Sequence, residues 1–179
     1  MHKRCLVFAI VLLLVSMASA KDVPKFKSIE VKHFTLNEGV ELPPEFKDYL
    51  YAELRAALQK KKLAEQLVGE DEVVDPADVA QSLIIEGNVV EYKKGNAVKE
   101  GIVTLAVGAS FGAGARSLTT HVKVVRRNDN QAIIDKDLKV KVPARAKPEW
   151  LARFLAKEIT GEVKKEAHGS AGASAGSGK

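Results

Sequence analysis

The sequence predicts an α/β or α+β domain, a mixed sheet with a long N-terminal helix and a C-terminal helix packed on it. Three observations carry that expectation. Phe46, Leu50, Leu54 and Leu58 recur every fourth residue, and so do Leu151, Leu155, Ile159 and Val163. Each set aligns along one face of a helix, so each helix covers something on one side and meets water on the other. Between them, residues 118–142 alternate apolar and polar with period two, broken by Asn128-Asp129-Asn130. A hairpin together with long crossovers points to helices on a mixed sheet.

Taken in order, the chain opens with a short basic start (His2, Lys3, Arg4). The apolar run 5–15 follows, and small residues end it at Ala18 and Ala20. These are the parts of a secretory signal peptide, so 1–20 is expected to be cleaved near Ala20 and the rest exported to the periplasm or beyond. The uncharged stretch between Arg4 and Lys21 is shorter than the roughly 20 residues a spanning helix needs. The single cysteine, Cys5, falls in that segment, so no disulfide staples the remainder. A chain of this size buries about 70 % of its unfolded surface and needs no staple. Net charge is +5, with Lys3 and Arg4 inside the signal segment. The modest excess left does not mark a nucleic-acid protein.

"FKSIEVKHFTL" (26–36) alternates as a half-buried strand. Pro43-Pro44 opens a helix expected to run to about Val68, with Lys60-Lys61-Lys62 near its carbonyl end. Asp75-Pro76 reads as a cap and first turn of a short helix to Gln81. "SLIIEGNVVEYK" (82–93) reads as a strand bulged at Gly87. Pro148 starts the last helix. Residues 21–167 form one domain, and 168–179, nearly all Gly, Ser and Ala, form a flexible tail.

Function is less legible. "VTLAVGASFGAGARS" (103–117) has the spacing G-x-x-x-G-x-G at Gly108, Gly112 and Gly114, which is neither a dinucleotide fingerprint nor a P-loop. It leads into a strand, not a helix, so no helix N-terminus is offered to a phosphate. Closely approaching backbone is one explanation of the small residues. A membrane or oligomer contact is the other, since the uncharged residues 101–115 exceed the roughly 9–11 of a β-crossing. Gly108, Phe111, Gly112, Gly114 and Arg116 are the candidate interaction residues. His33, His121 and His168 stand in separate elements, no nucleophile motif occurs, and Glu86 and Glu91 read as solvent-facing. No metal, no cofactor and no enzymatic activity are therefore expected. Trp150 and Phe154, one turn apart, are expected to pack as core or staple; exposed, they would form a docking patch.

From Asp78 onward the chain resembles a bacterial family, the domain of unknown function 4410. The residues that carry the resemblance are "DVAQSLIIEGNVVEYKKGN", "VGASFGAGA" and "TTHVKVVRRNDNQAIIDKDLKV", in that order. The turn Asn128-Asp129-Asn130-Gln131 departs from the acidic-Gly turn usual there. Such domains are similar to envelope proteins with an α/β fold like the periplasmic part of the curli secretion channel. The resemblance implies no activity and no functional residue. It supports a secreted or periplasmic, non-enzymatic binding or assembly module of the cell envelope with a protein partner. The alternative is a subunit of a membrane-associated homo-oligomer in which 101–116 inserts as part of a β-hairpin.

Overall fold

The computed structural model describes residues 26–70, 72–96 and 114–173, with side chains as far as Ala167. The expected signal segment 1–20, candidate residues Gly108, Phe111 and Gly112, and the end of the expected tail lie outside the described residues.

The chain runs β1 (Phe26–Val31), β2 (Thr35–Leu36), α1 (Phe46–Lys60), β3 (Ala64–Val68), a 3₁₀ turn (Val79–Gln81), β4 (Ser82–Lys93), β5 (Arg116–Arg126), β6 (Ala132–Val142) and α2 (Pro148–Ala173). The six strands form one mixed sheet in the order β3-β1-β4-β5-β6, with β2 also paired to β4. β1 lies parallel between β3 and β4, whereas β4, β5 and β6 are antiparallel. The fold is α+β, with two helices packed on the sheet.

Both fourfold stripes face the core. Phe46, Leu50, Leu54 and Leu58 are buried on α1, and Leu151, Leu155, Ile159 and Val163 on α2. They meet Ile29 and Val31 of β1, Leu83, Ile85 and Val89 of β4, and Leu118, Val122 and Val124 of β5. Lys136 interrupts the apolar face of β6, where Ile134 and Val140 are buried. It escapes the core by reaching Glu162 on α2. Its stem can lie along apolar surface while the ammonium finds a carboxylate.

Several expectations need correction. α1 stops at Lys60, and Ala64–Val68 is a strand rather than the end of the helix. The next positions of the stripe, Lys62 and Gln66, are polar, so nothing would hold a longer helix to the sheet. Lys62 turns the chain at φ 50°, and the Leu63 N–H donates back to the Leu58 carbonyl. The segment 26–36 is two strands: β1 pairs with β3 and β4, then β2 pairs with β4 further along.

Gly87 is not the bulge. The register of β4 against β5 slips between Val89 and Glu91 instead. Gly87 occupies the core face of β4, where an added Cβ would lie 2.4 Å from Cε2 of buried Phe34. The glycine leaves the place its side chain would fill to the Phe34 ring. The hairpin turn is as expected, with Asn130 at φ 54°. α2 continues to Ala173, taking in the first residues of the Gly/Ser/Ala stretch.

Candidate interaction surfaces

Three surfaces are left around this core, and each is built by a different part of the fold. The first is the end of the β4–β5 pair, from which residues 97–113 depart. The Asn96 N–H donates to the Gly114 carbonyl at 2.6 Å, and Gly114 has φ 108°. An added Cβ at Gly95 would lie 2.5 Å from Cα of Ala144, so the end of β4 is pressed against the backbone that follows β6. Arg116 opens β5 with its guanidinium 3.4 Å from the Ala144 carbonyl. Of the candidate interaction residues, Gly114 and Arg116 therefore form the closed base of the segment.

The second surface is the sheet face away from the helices. Residues of one row alternate in sign across neighbouring strands: Lys32, Glu86, Lys123 and Asp135. Glu86 lies 3.6 Å from Lys32 and 3.9 Å from Lys123. In the next row His121 places Nε2 3.1 Å from Asp135 and Nδ1 2.9 Å from Asp137. Glu91 pairs with Lys93 and Lys139, so Glu86 and Glu91 do not face one another. Beyond the end of β1, at the margin of this face, His33 lies 3.0 Å from Glu70 and stacks on the Tyr51 ring of α1 at 4.2 Å. The His33 ring holds Glu70 below the ordinary carboxylate range by hydrogen bonding, reinforced by the His33 backbone N–H.

His33 and His121, far apart in sequence, line one shallow cavity of about 280 Å³ with Lys32, Glu70, Glu86 and Lys123. Its acids and bases are already matched to one another, so the cavity has little uncompensated charge for a substrate. No cluster of three or more His, Cys, Asp or Glu able to hold a metal occurs among the described residues. Near the β1 end of this face, Glu30 and Arg127 pair, the Arg127 N–H donates to the Ser82 carbonyl at 2.9 Å, and the Ser28 hydroxyl donates to that of Ser82 at 2.7 Å. These groups are mostly buried, and their pairing offsets the cost of burying them.

The third surface is the outside of the helix layer. Trp150 and Phe154 are 52 % and 41 % exposed, not core as expected, with ring centroids 6.3 Å apart. The stripe Leu151/Leu155 turns α2 so that its opposite side carries them outward. Tyr49 of α1 is exposed as well. Glu45 and, further off, Glu149 raise its phenol above the ordinary value. Further along the helices a cavity of about 650 Å³ opens between α1 and α2. No described helix is long and apolar enough to cross a membrane.

No family model and no curated protein sequence matches the chain. Solved structures do. PelC from Paraburkholderia phytofirmans, a dodecamer, superposes with a TM-score of 0.53 at 8 % identity, covering 82 % of this chain and 93 % of that one. A point variant of the same dodecamer gives 0.55 at 9 % identity, covering 82 % and 95 %. Protein XCC0632 from Xanthomonas campestris, of the DUF330 family, gives 0.54 at 9 % identity, covering 84 % and 92 %. At these identities the likeness is one of fold. No family model supports the resemblance to the domain of unknown function 4410 family.

Proposed function

We propose that this chain is an exported, non-enzymatic binding and assembly module of the cell envelope that works as a homo-oligomer. The observation that carries the reading is the fold, shared over more than nine-tenths of the chain length of a protein that assembles as a dodecamer. The signal-like N-terminus supports export. The exposed Tyr49, Trp150 and Phe154 support a contact surface, because large apolar side chains exposed together on one layer mark places where another surface docks. The order of the motifs from Asp78 onward supports kinship with the domain of unknown function 4410 family.

A second reading rests on a specific observation, the closed base at Asn96 and Gly114. Asn96 and Gly114, which flank residues 97–113 in sequence, are held together at the end of a long antiparallel pair. In that reading 101–116, with Gly108, Phe111, Gly112, Gly114 and Arg116, enters a membrane as part of a hairpin.

One experiment separates these readings. The full-length chain is expressed in a bacterium, membranes are washed with alkaline carbonate, and the released material is sized by light scattering. The proposal expects a soluble, discrete oligomer. A monomer at every concentration would overturn assembly. Retention after the wash, with recovery only in detergent, would overturn the soluble module and favour insertion of 101–116.

A further inference from the structure

The cavity between α1 and α2 differs in charge from the open sheet face. Five cationic side chains line it, Lys60 and Lys61 from α1 and Arg153, Lys157 and Lys164 from α2, against the single carboxylate Glu53. Glu53 is already engaged, 3.1 Å from Arg153. Lys60, Lys61 and Lys157 have no ion pair among the described residues. The open sheet face, by contrast, alternates in sign and neutralises itself.

Helix electrostatics account for part of this pattern and not the rest. Lys60 and Lys61 end α1, where cations suit the carbonyl end of the dipole. Arg153 and Lys157 sit in the body of α2, far from its C-terminal end, so that reason does not reach them. The rest of the lining gives an independent observation. Between the charged side chains it includes Ala56, Ala57 and Gly161, all small. A Cβ at Gly161 would meet nothing within 4 Å, so packing does not require the glycine. A mid-helix glycine is less favourable than alanine. What it leaves at this position is open space beside the lysines.

We infer that the groove between α1 and α2 is a binding site for a compact, multiply charged phosphate-bearing ligand. The helical rise puts the lining at about 12 Å along α1 and about 16 Å along α2. The volume is that of a small-molecule site. Three lysines without an ion pair among the described residues, Lys60, Lys61 and Lys157, line so short a groove, and a ligand that carries its negative charge densely would balance them. Phosphate does so, with about −1.5 to −2 per group and three acceptor oxygens. Four of the five cations are lysines, which act on phosphate as mobile point charges rather than as a fixed fork. The inference concerns this groove alone and stands apart from the oligomer and from export. The phosphate can belong to a soluble compound or to a lipid headgroup.

The test uses the purified full-length chain at low ionic strength with two probes. One is inorganic tripolyphosphate, followed by calorimetry. The other is vesicles of phosphatidylcholine containing phosphatidylglycerol, followed by sedimentation. The variant Lys60→Gln/Lys61→Gln/Lys157→Gln removes three exposed charges from the groove. The control Lys94→Gln/Lys139→Gln/Lys141→Gln removes three from outside the helix layer.

Binding is expected to weaken about tenfold or more in the groove variant and to stay within about twofold in the control. Gly161→Leu, which adds bulk to the lining without changing charge, is expected to weaken it as well. Tripolyphosphate binding lost in this way identifies a soluble phosphate compound. Binding to vesicles alone, lost in the same variant, identifies a headgroup. Equal loss in both triple variants, or no binding of either probe, would overturn the site and leave a solvated basic face.

Discussion

Replacing Gly87 by alanine tests the packing of β4 directly. The new Cβ would stand 2.4, 2.7 and 2.8 Å from Cε2, Cδ2 and Cζ of Phe34. Carbon atoms rest at about 3.5–4.0 Å, so the ring must retreat by about 1 Å. Phe34 is buried within the core cluster and has no open side to retreat into. Overpacking of this kind costs about 1–3 kcal/mol. Alanine also restricts the unfolded chain, which returns about 0.4–1 kcal/mol. The net expectation is a loss of about 1–2 kcal/mol, or a fall in Tm of about 3–8 °C for a domain of this size.

Thermal and urea unfolding followed by circular dichroism would read the loss. The decisive variant is Gly87→Ala combined with Phe34→Leu. Leucine lacks Cε2 and Cζ, two of the three obstructing atoms, so the double variant should lose at least about 1 kcal/mol less than the sum of the singles. A neutral Gly87→Ala, or strict additivity in the double variant, would refute the ring contact. A destabilising but strictly additive Gly87→Ala would assign the loss to something other than the Phe34 ring.

Other perturbations address other parts of the molecule. Gly161→Ala should raise stability by about 0.5–1 kcal/mol, read as a higher Tm, because its Cβ meets open space in the interior of α2. Arg55 donates to the carbonyls of Leu67 and Val68 and to the Tyr51 hydroxyl, tying edge strand β3 to α1. Arg55→Lys keeps the charge but not the fork, and should cost about 1–2 kcal/mol in urea unfolding. Hydrogen bonds from Lys136 and Lys165 hold the Glu162 carboxyl below its ordinary value of 4.5. A depressed folded-state value means a contribution present above that ordinary value and lost as pH falls through the lower, folded one. Glu162→Gln should therefore lower stability near neutrality and flatten the acid limb of the Tm–pH curve below about pH 4.5. An unchanged acid limb would remove Glu162 from the linkage between β6 and α2.

The two helices and the β5–β6 hairpin were legible in the sequence because periodicity records burial. Phe46 to Leu58 and Leu151 to Val163 repeat every fourth residue only if one helical face is covered, and Leu118 to Val124 alternate only if one sheet face is. The stop of α1 was also present, in the polar residues that interrupt the stripe at Lys62 and Gln66. β3 was not legible. "AEQLV" is short, with one buried residue, and lies at a sheet edge, and it becomes a strand through hydrogen bonds to β1, more than thirty residues away. Trp150 and Phe154 read as core because their chemistry is apolar, and the phase of the stripe beside them places them outside.

Alone, therefore, the sequence determined which periodic stripes are covered, where the β5–β6 hairpin turns, and that two helices and a sheet must share a core. These are consequences of local geometry and of the cost of leaving apolar surface in water. Only the tertiary structure decided what covers what. It set β1 between β3 and β4, laid the Phe34 ring over Gly87, brought His33 to His121, and faced Lys60 and Lys61 with Arg153 and Lys157. Each of those juxtapositions joins residues distant in the chain, and a one-dimensional pattern holds no record of which faces will meet.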